Sequence, residues 1–200
     1  MYVVARLLVV HHSPTRGVRT LTEAVLAGAH DDAITGVEVV VRPALEATAQ
    51  DVLDADGYLL GTPANFGYMS GALKHFFDST FLQIGGALSR SGSPDDSAGG
   101  THGAPFGLYV HGRYDTTGAL RSVTSIVGAL GWRQSAEVLE VMGEVTGQDE
   151  EAAYELGGTL AALLSERPTR RELADRVRSR TAVTADLDPV AAVRAERDSR

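Results

Sequence analysis

The chain has 200 residues and contains no cysteine. It therefore has no disulfide, no thiolate metal ligand, no iron–sulfur ligand and no cysteine nucleophile. Long apolar runs are also missing, and no apolar stretch approaches the roughly 20 residues that a membrane-spanning helix needs. The N-terminal apolar run contains Arg6 and ends at His11, a pattern that differs from a secretory signal peptide. These absences predict a cytoplasmic protein that does not act at a membrane.

Positive charge is scarce, since Lys74 is the only lysine and the net charge is −8. This acidity argues against nonspecific binding to nucleic acid. Residues 166–200 differ, because nine arginines and seven acidic residues give this segment a net charge of +2. We predict a folded domain over residues 1–166 and a charged tail over 167–200 that is partly helical or disordered. An arm that reaches across a dimer partner is the alternative for this tail.

Five largely apolar runs are predicted to form the strands of a parallel sheet, and the first of them, which has almost no polar alternation, is typical of a strand buried on both faces. They lie at residues 2–10, 37–41, 57–61, 106–110 and 135–142. A helical pattern follows each run, at residues 20–29, 44–55, 69–82, 120–130 and 150–164. Residues 85–104 are rich in Gly, Ser, Pro and Asp and are predicted to form a long loop.

This alternation predicts an α/β fold of three layers, in which helices cover both faces of a five-stranded parallel sheet. A TIM barrel would need about eight such repeats. The doubly wound class remains, with strand order 2-1-3-4-5 and a ligand site at the carboxyl ends of the first and third strands.

The loop after the first strand has the composition of an anion site. It precedes a helix, whose first backbone N–H groups and dipole favour a negative charge. It also contains three hydroxyl side chains, a cation and a glycine, namely Ser13, Thr15, Thr20, Arg16 and Gly17. Neither Gly-Lys-Ser/Thr nor G-x-G-x-x-G occurs there, so we predict a phosphate monoester as the ligand. An ordinary strand-to-helix turn is the alternative.

The loop after the third strand places aromatic residues outside the predicted core. Pro63 stiffens it, Gly61 and Gly67 permit tight turns, and Phe66 and Tyr68 offer aromatic surface. Such a loop suits a planar ring whose polar edge meets backbone groups. The alternative is that both aromatic residues only cover a surface.

Residues 61–78 read GTPANFGYMSGALKHFFD and resemble the G-T-P-x-x-F-G-x-M-S-G-x-x-x-x-F-x-D stretch of flavodoxin-like NAD(P)H:quinone oxidoreductases and NADPH-dependent FMN reductases. The strand, loop and helix from Leu8 to Ala24 resemble the phosphate-binding segment of the same families. The likeness extends over roughly residues 5–165. It implies a flavodoxin-like fold, FMN as cofactor and NAD(P)H as co-substrate.

The resemblance also implies a set of cofactor-binding residues. The phosphate would be held by Ser13, Thr15, Arg16, Gly17 and Val18. The isoalloxazine would be flanked by Pro63, Ala64, Asn65, Phe66, Gly67 and Tyr68. Its pyrimidine side would meet His111, Gly112 and Arg113.

FMN carries the hydride chemistry itself, so no catalytic side chain is obligatory. A positive group near N1 favours two-electron reduction of the ring, and Arg113 or His111 is the candidate for this role. No metal site is predicted, because the adjacent His11 and His12 would point to opposite faces of a strand.

The function implied is electron transfer from NAD(P)H to a quinone or another small acceptor, in a homodimer or higher homo-oligomer. Two alternatives stay open. One is a flavodoxin-type electron carrier, and the other is a binding or regulatory protein with weak or lost FMN binding.

Overall fold

A computed structural model of the protein describes residues 4–85 and 100–166. The strands are β1 Ala5–His11, β2 Val37–Pro43, β3 Gly57–Asn65, β4 Tyr68–Met69, β5 Pro105–Gly112, β6 Arg133–Gln134 and β7 Leu139–Met142. The helices are α1 Arg16–Ala29, α2 Ala49–Leu53, α3 Gly71–Thr80, α4 Thr117–Ala129 and α5 Gly147–Ser165. The predicted tail and most of the predicted long loop lie outside the described residues.

The main sheet is parallel and runs in the order β2-β1-β3-β5-β6, while β7 continues beside β5. Counted as five principal strands, this is the predicted 2-1-3-4-5 order, so the predicted fold class is confirmed. The direction in which successive strands are added to the sheet reverses between β1 and β3. The crossover connections therefore leave these two strands on opposite sides, and a crevice opens at their carboxyl ends.

Helices pack on both faces of the sheet, and the alternation of side chains along β1 explains why. Leu8 and Val10 join the core beneath α2, α3 and α4, whereas Leu7 and Val9 join the core beneath α1 and α5. A strand buried on both faces has no polar side, and this is the pattern that the sequence displays. On α3, Leu73, Phe76 and Phe77 face the core beneath α2, α3 and α4 and are buried.

The predicted fifth strand, residues 135–142, differs from the structure. Only its second half forms a strand, β7, while β6 lies just before the predicted range, and both pair with β5. Phe106 pairs with Gln134 and Tyr109 with Leu139, so the edge strand has two more residues than β5 between these pairs. Such a bulge is tolerated because an edge strand has a neighbour on one side only.

The segment predicted as a loop over residues 62–68 is largely a β-hairpin. β3 extends to Asn65, and its last two residues pair in antiparallel fashion with β4. The following helix starts at Gly71, because the Ser70 hydroxyl accepts a hydrogen bond from the Leu73 N–H at 3.2 Å and caps it. Within residues 4–85 and 100–166, no helix is long and apolar enough to cross a membrane.

Candidate functional site

A cavity of about 880 Å³ lies at the carboxyl edge of the sheet. The three loops singled out in the sequence all contribute to its wall, through Thr15, Arg16, Gly17, Thr20, Pro63, Ala64, Asn65, Phe66, Gly67, His111, Gly112, Arg113, Tyr114 and Asp115. They meet because parallel strands end at the same edge of a sheet. The volume falls in the range of roughly 300–1,000 Å³ that is common for ligand sites.

One end of the cavity is the N-terminus of α1. Thr15 is the N-cap residue, yet within the described part of the chain its side chain makes no capping hydrogen bond. The hydroxyls of Thr48 and Thr146 cap α2 and α5, each in partnership with an aspartate. The first turn of α1 contains Arg16 and no acidic residue, so its amides, the Thr15 hydroxyl and the guanidinium together favour an anion.

Gly17 brings this helix end close to the loop after β5. A Cβ atom at Gly17 would lie 2.5 Å from the His111 ring, so a larger residue would displace that ring. The His111 Nε2–H in turn donates to the Gly143 carbonyl at 2.9 Å. His111 thereby connects three loops of the cavity wall, which leaves the exposed Arg113 as the better-placed cation for contact with a ligand.

Another part of the cavity wall is formed by the β3–β4 hairpin. Its two central residues, Phe66 and Gly67, have φ values of 53° and 78°. Positive φ at both positions is typical of a type I′ turn, which disfavours a bulky residue such as Phe66. The Phe66 side chain is also fully exposed, so burial does not offset this strain. An aromatic residue that is strained and exposed at a cavity rim indicates a ligand-binding role.

The loop after β5 packs tightly against this hairpin. A Cβ atom at Gly67 would lie 2.8 Å from the Asp115 carboxylate. The backbone N–H of Thr117 donates to Asp115 at 2.9 Å, and this bond lowers the pKa of the Asp115 carboxyl. Asp115 is therefore ionised at neutral pH and fixes the start of α4, while Tyr114 remains 90% exposed at the rim.

A fourth loop, after β7, completes the cavity and was missed in the sequence. It contributes Gly143, Glu144 and Val145, together with Glu150 from α5. The same rule that located the other loops could have found it, since it also follows a parallel strand. It lacks an aromatic, hydroxyl or cationic cluster next to the strand, and so nothing in its composition drew attention.

Three residues predicted to bind the cofactor lie outside the described cavity lining. The Val18 side chain is buried in the core beneath α1 and can offer only its backbone. Tyr68 lies on β4 and is 46% exposed. The Ser13 hydroxyl faces inward, 2.7 Å from the Thr22 hydroxyl and 2.9 Å from the His11 Nδ1.

These features suit FMN in shape and chemistry. An anion site and an aromatic hairpin line the same cavity, as a phosphate and a planar ring of one ligand require. Thr15, Arg16, Gly17 and Thr20 would hold the phosphate, and Pro63, Asn65, Phe66 and Gly67 would border the ring.

A parallel sheet covered on both faces, with this site at its carboxyl edge, defines a flavodoxin-like protein of the FMN-binding class. The chain belongs to the NADPH-dependent FMN reductase family, whose model matches residues 17–138. That match extends from the first turn of α1 to the residue before β7, and it confirms the family predicted from the resemblance.

A curated relative, a flavodoxin from Aquifex aeolicus (strain VF5), is 30% identical in an alignment of 171 positions that covers 78% of this chain and 85% of that protein. A solved flavodoxin from the domain Archaea has a TM-score of 0.62 at 16% identity, over 80% of this chain and 99% of that one. A WrbA-like flavodoxin from Agrobacterium tumefaciens has a TM-score of 0.61 at 18% identity, over 82% and 99%. These two structures share the fold with this chain.

Proposed function

We propose that this protein is an FMN-dependent oxidoreductase that transfers electrons from NAD(P)H to a quinone or another small acceptor. The observation that carries the proposal is the cavity that joins an anion site to an exposed aromatic rim. FMN, when bound, supplies the hydride chemistry, so the chain must bind it, orient it and leave it accessible.

The residues of the cavity divide these tasks. The N-terminal amides of α1, with Thr15, Arg16 and Thr20, anchor the phosphate end. Phe66 and the backbone of its hairpin orient the ring end, and Arg113 adds positive charge beside it. Tyr114 and Phe66 are exposed, which leaves an apolar surface on which a flat nicotinamide or quinone can stack.

A flavodoxin-type electron carrier is the second candidate, and two observations favour it. The curated relative at 30% identity is named a flavodoxin. Three carboxylates, Asp115, Glu144 and Glu150, also line the cavity. A carrier would exchange electrons with a partner protein and would consume little NAD(P)H in the presence of a quinone.

The visible spectrum of the purified protein is the first test. After excess FMN and gel filtration, bands of oxidised flavin would support the cofactor, and steady NAD(P)H oxidation with a quinone would support the enzyme. Retained flavin without NAD(P)H oxidation would favour the carrier. A colourless protein that cannot be reconstituted would contradict both candidates and favour a binding or regulatory role.

We also propose a homodimer or higher homo-oligomer in the cytoplasm, on the basis of the family resemblance. Light scattering coupled to gel filtration measures the mass in solution. A mass equal to the chain's 21.1 kDa would contradict the oligomer.

A further inference from the structure

A chain of hydrogen bonds connects the loop between β1 and α1, residues 12–15 and here called the phosphate loop, to the core of the sheet. The Thr22 hydroxyl lies 2.8 Å from the hydroxyl of Tyr109 on β5 and 2.7 Å from that of Ser13. Ser13 lies 2.9 Å from the His11 Nδ1. Both Thr22 and Tyr109 are buried, so a ligand in the cavity reaches neither.

The direction of each bond follows from the number of available protons. Thr22 has one hydroxyl proton, which it donates to the Val18 carbonyl at 2.9 Å. It must then accept from both Tyr109 and Ser13, using its two lone pairs. Because the Ser13 proton is donated to Thr22, Ser13 must accept from His11, whose Nδ1 therefore carries a proton.

Burial supports this assignment at Tyr109, where the chain of hydrogen bonds ends inside the core. Desolvation raises the pKa of the Tyr109 phenol well above its ordinary value, so Tyr109 remains a donor at any working pH. Desolvation and the neighbouring His12 lower the pKa of His11, and the neutral ring still donates from Nδ1.

We propose that Tyr109 and Thr22 are positioning residues for the phosphate loop, and that Ser13 acts through them rather than by donating to the phosphate. The inference rests on the proposed FMN function. Three hydroxyls in series hold the loop against β5, so that the amides of α1 and the Thr15 hydroxyl face the cavity. A loop without this attachment would have to be ordered when the ligand binds, which weakens binding.

The test compares the affinities of FMN and riboflavin, which differ by the phosphate, in titrations of the full-length apoprotein. Tyr109→Phe and Thr22→Val each remove the inner attachment with little change in volume. We expect both variants to lower the affinity for FMN roughly three- to tenfold, which is the effect of one lost hydrogen bond. Riboflavin affinity should be unchanged, and Thr22→Ser, which keeps the hydroxyl, should restore FMN binding.

Tyr58→Phe is a matched control on the opposite face of the sheet. Tyr58 is also fully buried, and its hydroxyl donates to the Val52 carbonyl at 2.9 Å. This variant should lose comparable stability without changing the ratio of the two affinities. The inference would be overturned if Tyr109→Phe and Thr22→Val both bound FMN as tightly as the wild type. It would also be overturned if they lowered the affinities for FMN and riboflavin equally.

A double variant separates the two roles of Ser13. If Ser13 acts through its hydrogen bonds to Thr22 and Tyr109 in series, Ser13→Ala should add little to the effect of Tyr109→Phe on FMN affinity. Full additivity would mean that Ser13 contacts the phosphate independently and would overturn that part of the proposal.

Hydrogen exchange distinguishes failure of this inference from failure of the proposed function. The N–H of His12 bonds the Gly61 carbonyl at 3.0 Å, and that of Arg19 bonds the Thr15 carbonyl at 3.1 Å. In ligand-free Tyr109→Phe these two amides should exchange faster than in Tyr58→Phe. If the wild-type protein binds no FMN but this difference appears, the positioning role stands and the cofactor proposal fails. Equal exchange in the two variants would overturn the positioning role.

Discussion

At the scale of single residues, Phe66 shows a conflict between stability and function. Its backbone is in the left-handed region and its ring is fully exposed, so the folded state gains little from it. Asparagine suits this turn position, and Phe66→Asn should stabilise the protein by up to about 1 kcal/mol. The same change should weaken FMN binding, because an aromatic contact is lost.

Urea unfolding and FMN titration measure the two effects of Phe66→Asn separately. Leu82→Asn is the control, because Leu82 is another exposed apolar residue and lies outside the cavity lining. A variant that is stabilised and binds FMN as tightly as the wild type would contradict the ligand role of Phe66.

Under the proposed function, Arg113 is the residue expected to affect the reduction step most directly. Because it is an exposed cation at the cavity wall, Arg113→Ala should lower the rate of NAD(P)H-dependent reduction roughly tenfold, about 1.4 kcal/mol. FMN should remain bound, since the phosphate anchors lie at the other loop. Stopped-flow absorbance measures the rate, with Arg121→Ala on α4 as control, and unchanged rates would exclude this role.

His11 gives the stability of the protein a predictable dependence on pH. Burial and the adjacent His12 lower its pKa in the folded state below the ordinary value of 6.5. As the pH falls below 6.5, the unfolded chain therefore binds the proton first, and the free energy of unfolding decreases.

The variant His11→Asn removes the titrating group and keeps an N–H donor near the position of Nδ1. We expect the decline in stability below pH 6.5 to be shallower in this variant, although His12, whose pKa is also lowered by burial, retains part of it. Urea unfolding at several pH values tests this, and an unchanged slope would mean that His11 is not buried as described.

At the scale of elements, the contact between α1 and α5 depends on two glycines. A Cβ atom at Gly157 would lie 1.9 Å from the Val25 carbonyl oxygen, and one at Gly28 would lie 1.9 Å from that of Tyr154. Backbone atoms cannot move aside as a flexible side chain can, so Gly157→Ala should force the helices apart. We expect a loss of about 1–3 kcal/mol, although alanine is the better helix former.

Gly128→Ala on α4 is the control for this prediction. Apart from its chain neighbours and the backbone of its own helix, no described atom lies within 4 Å of a Cβ atom built at Gly128. The substitution should therefore be neutral or stabilise by up to about 1 kcal/mol. Thermal unfolding of both variants compares them directly. Equal stability of Gly157→Ala and Gly128→Ala would show that the two helices tolerate a wider spacing.

At the scale of the whole molecule, the cavity links ligand binding to stability. Its wall takes residues from the loops after β1, β3, β5 and β7, which are distant in sequence and meet only in the folded chain. FMN should therefore bind the folded state alone and stabilise it by about 2.7 kcal/mol at a hundredfold excess over Kd. Differential scanning calorimetry with FMN and with riboflavin measures this, and a Tm that FMN does not raise would contradict the site.

Much of the fold could be predicted from the sequence, because it follows from local periodicity. The nearly uninterrupted apolar run of β1 identified a strand that is buried on both faces. By contrast, β2 and β7, whose runs contain glutamate, are only partly buried. The edge strand was predicted less well, since an apolar run of residues 135–142 does not reveal that two of its residues bulge out of register with β5.

The sequence by itself determined the sheet order and the three loops at one edge, because parallel strands with right-handed crossovers leave few arrangements. Only the tertiary structure decided which side chains of those loops face the cavity. Ser13 faces the core because packing brings it to Thr22, and Thr22 in turn to Tyr109, which lies 87 residues further along the chain. The closeness of Gly157 to Val25 has the same origin, since contacts between distant segments leave no periodic trace in the sequence.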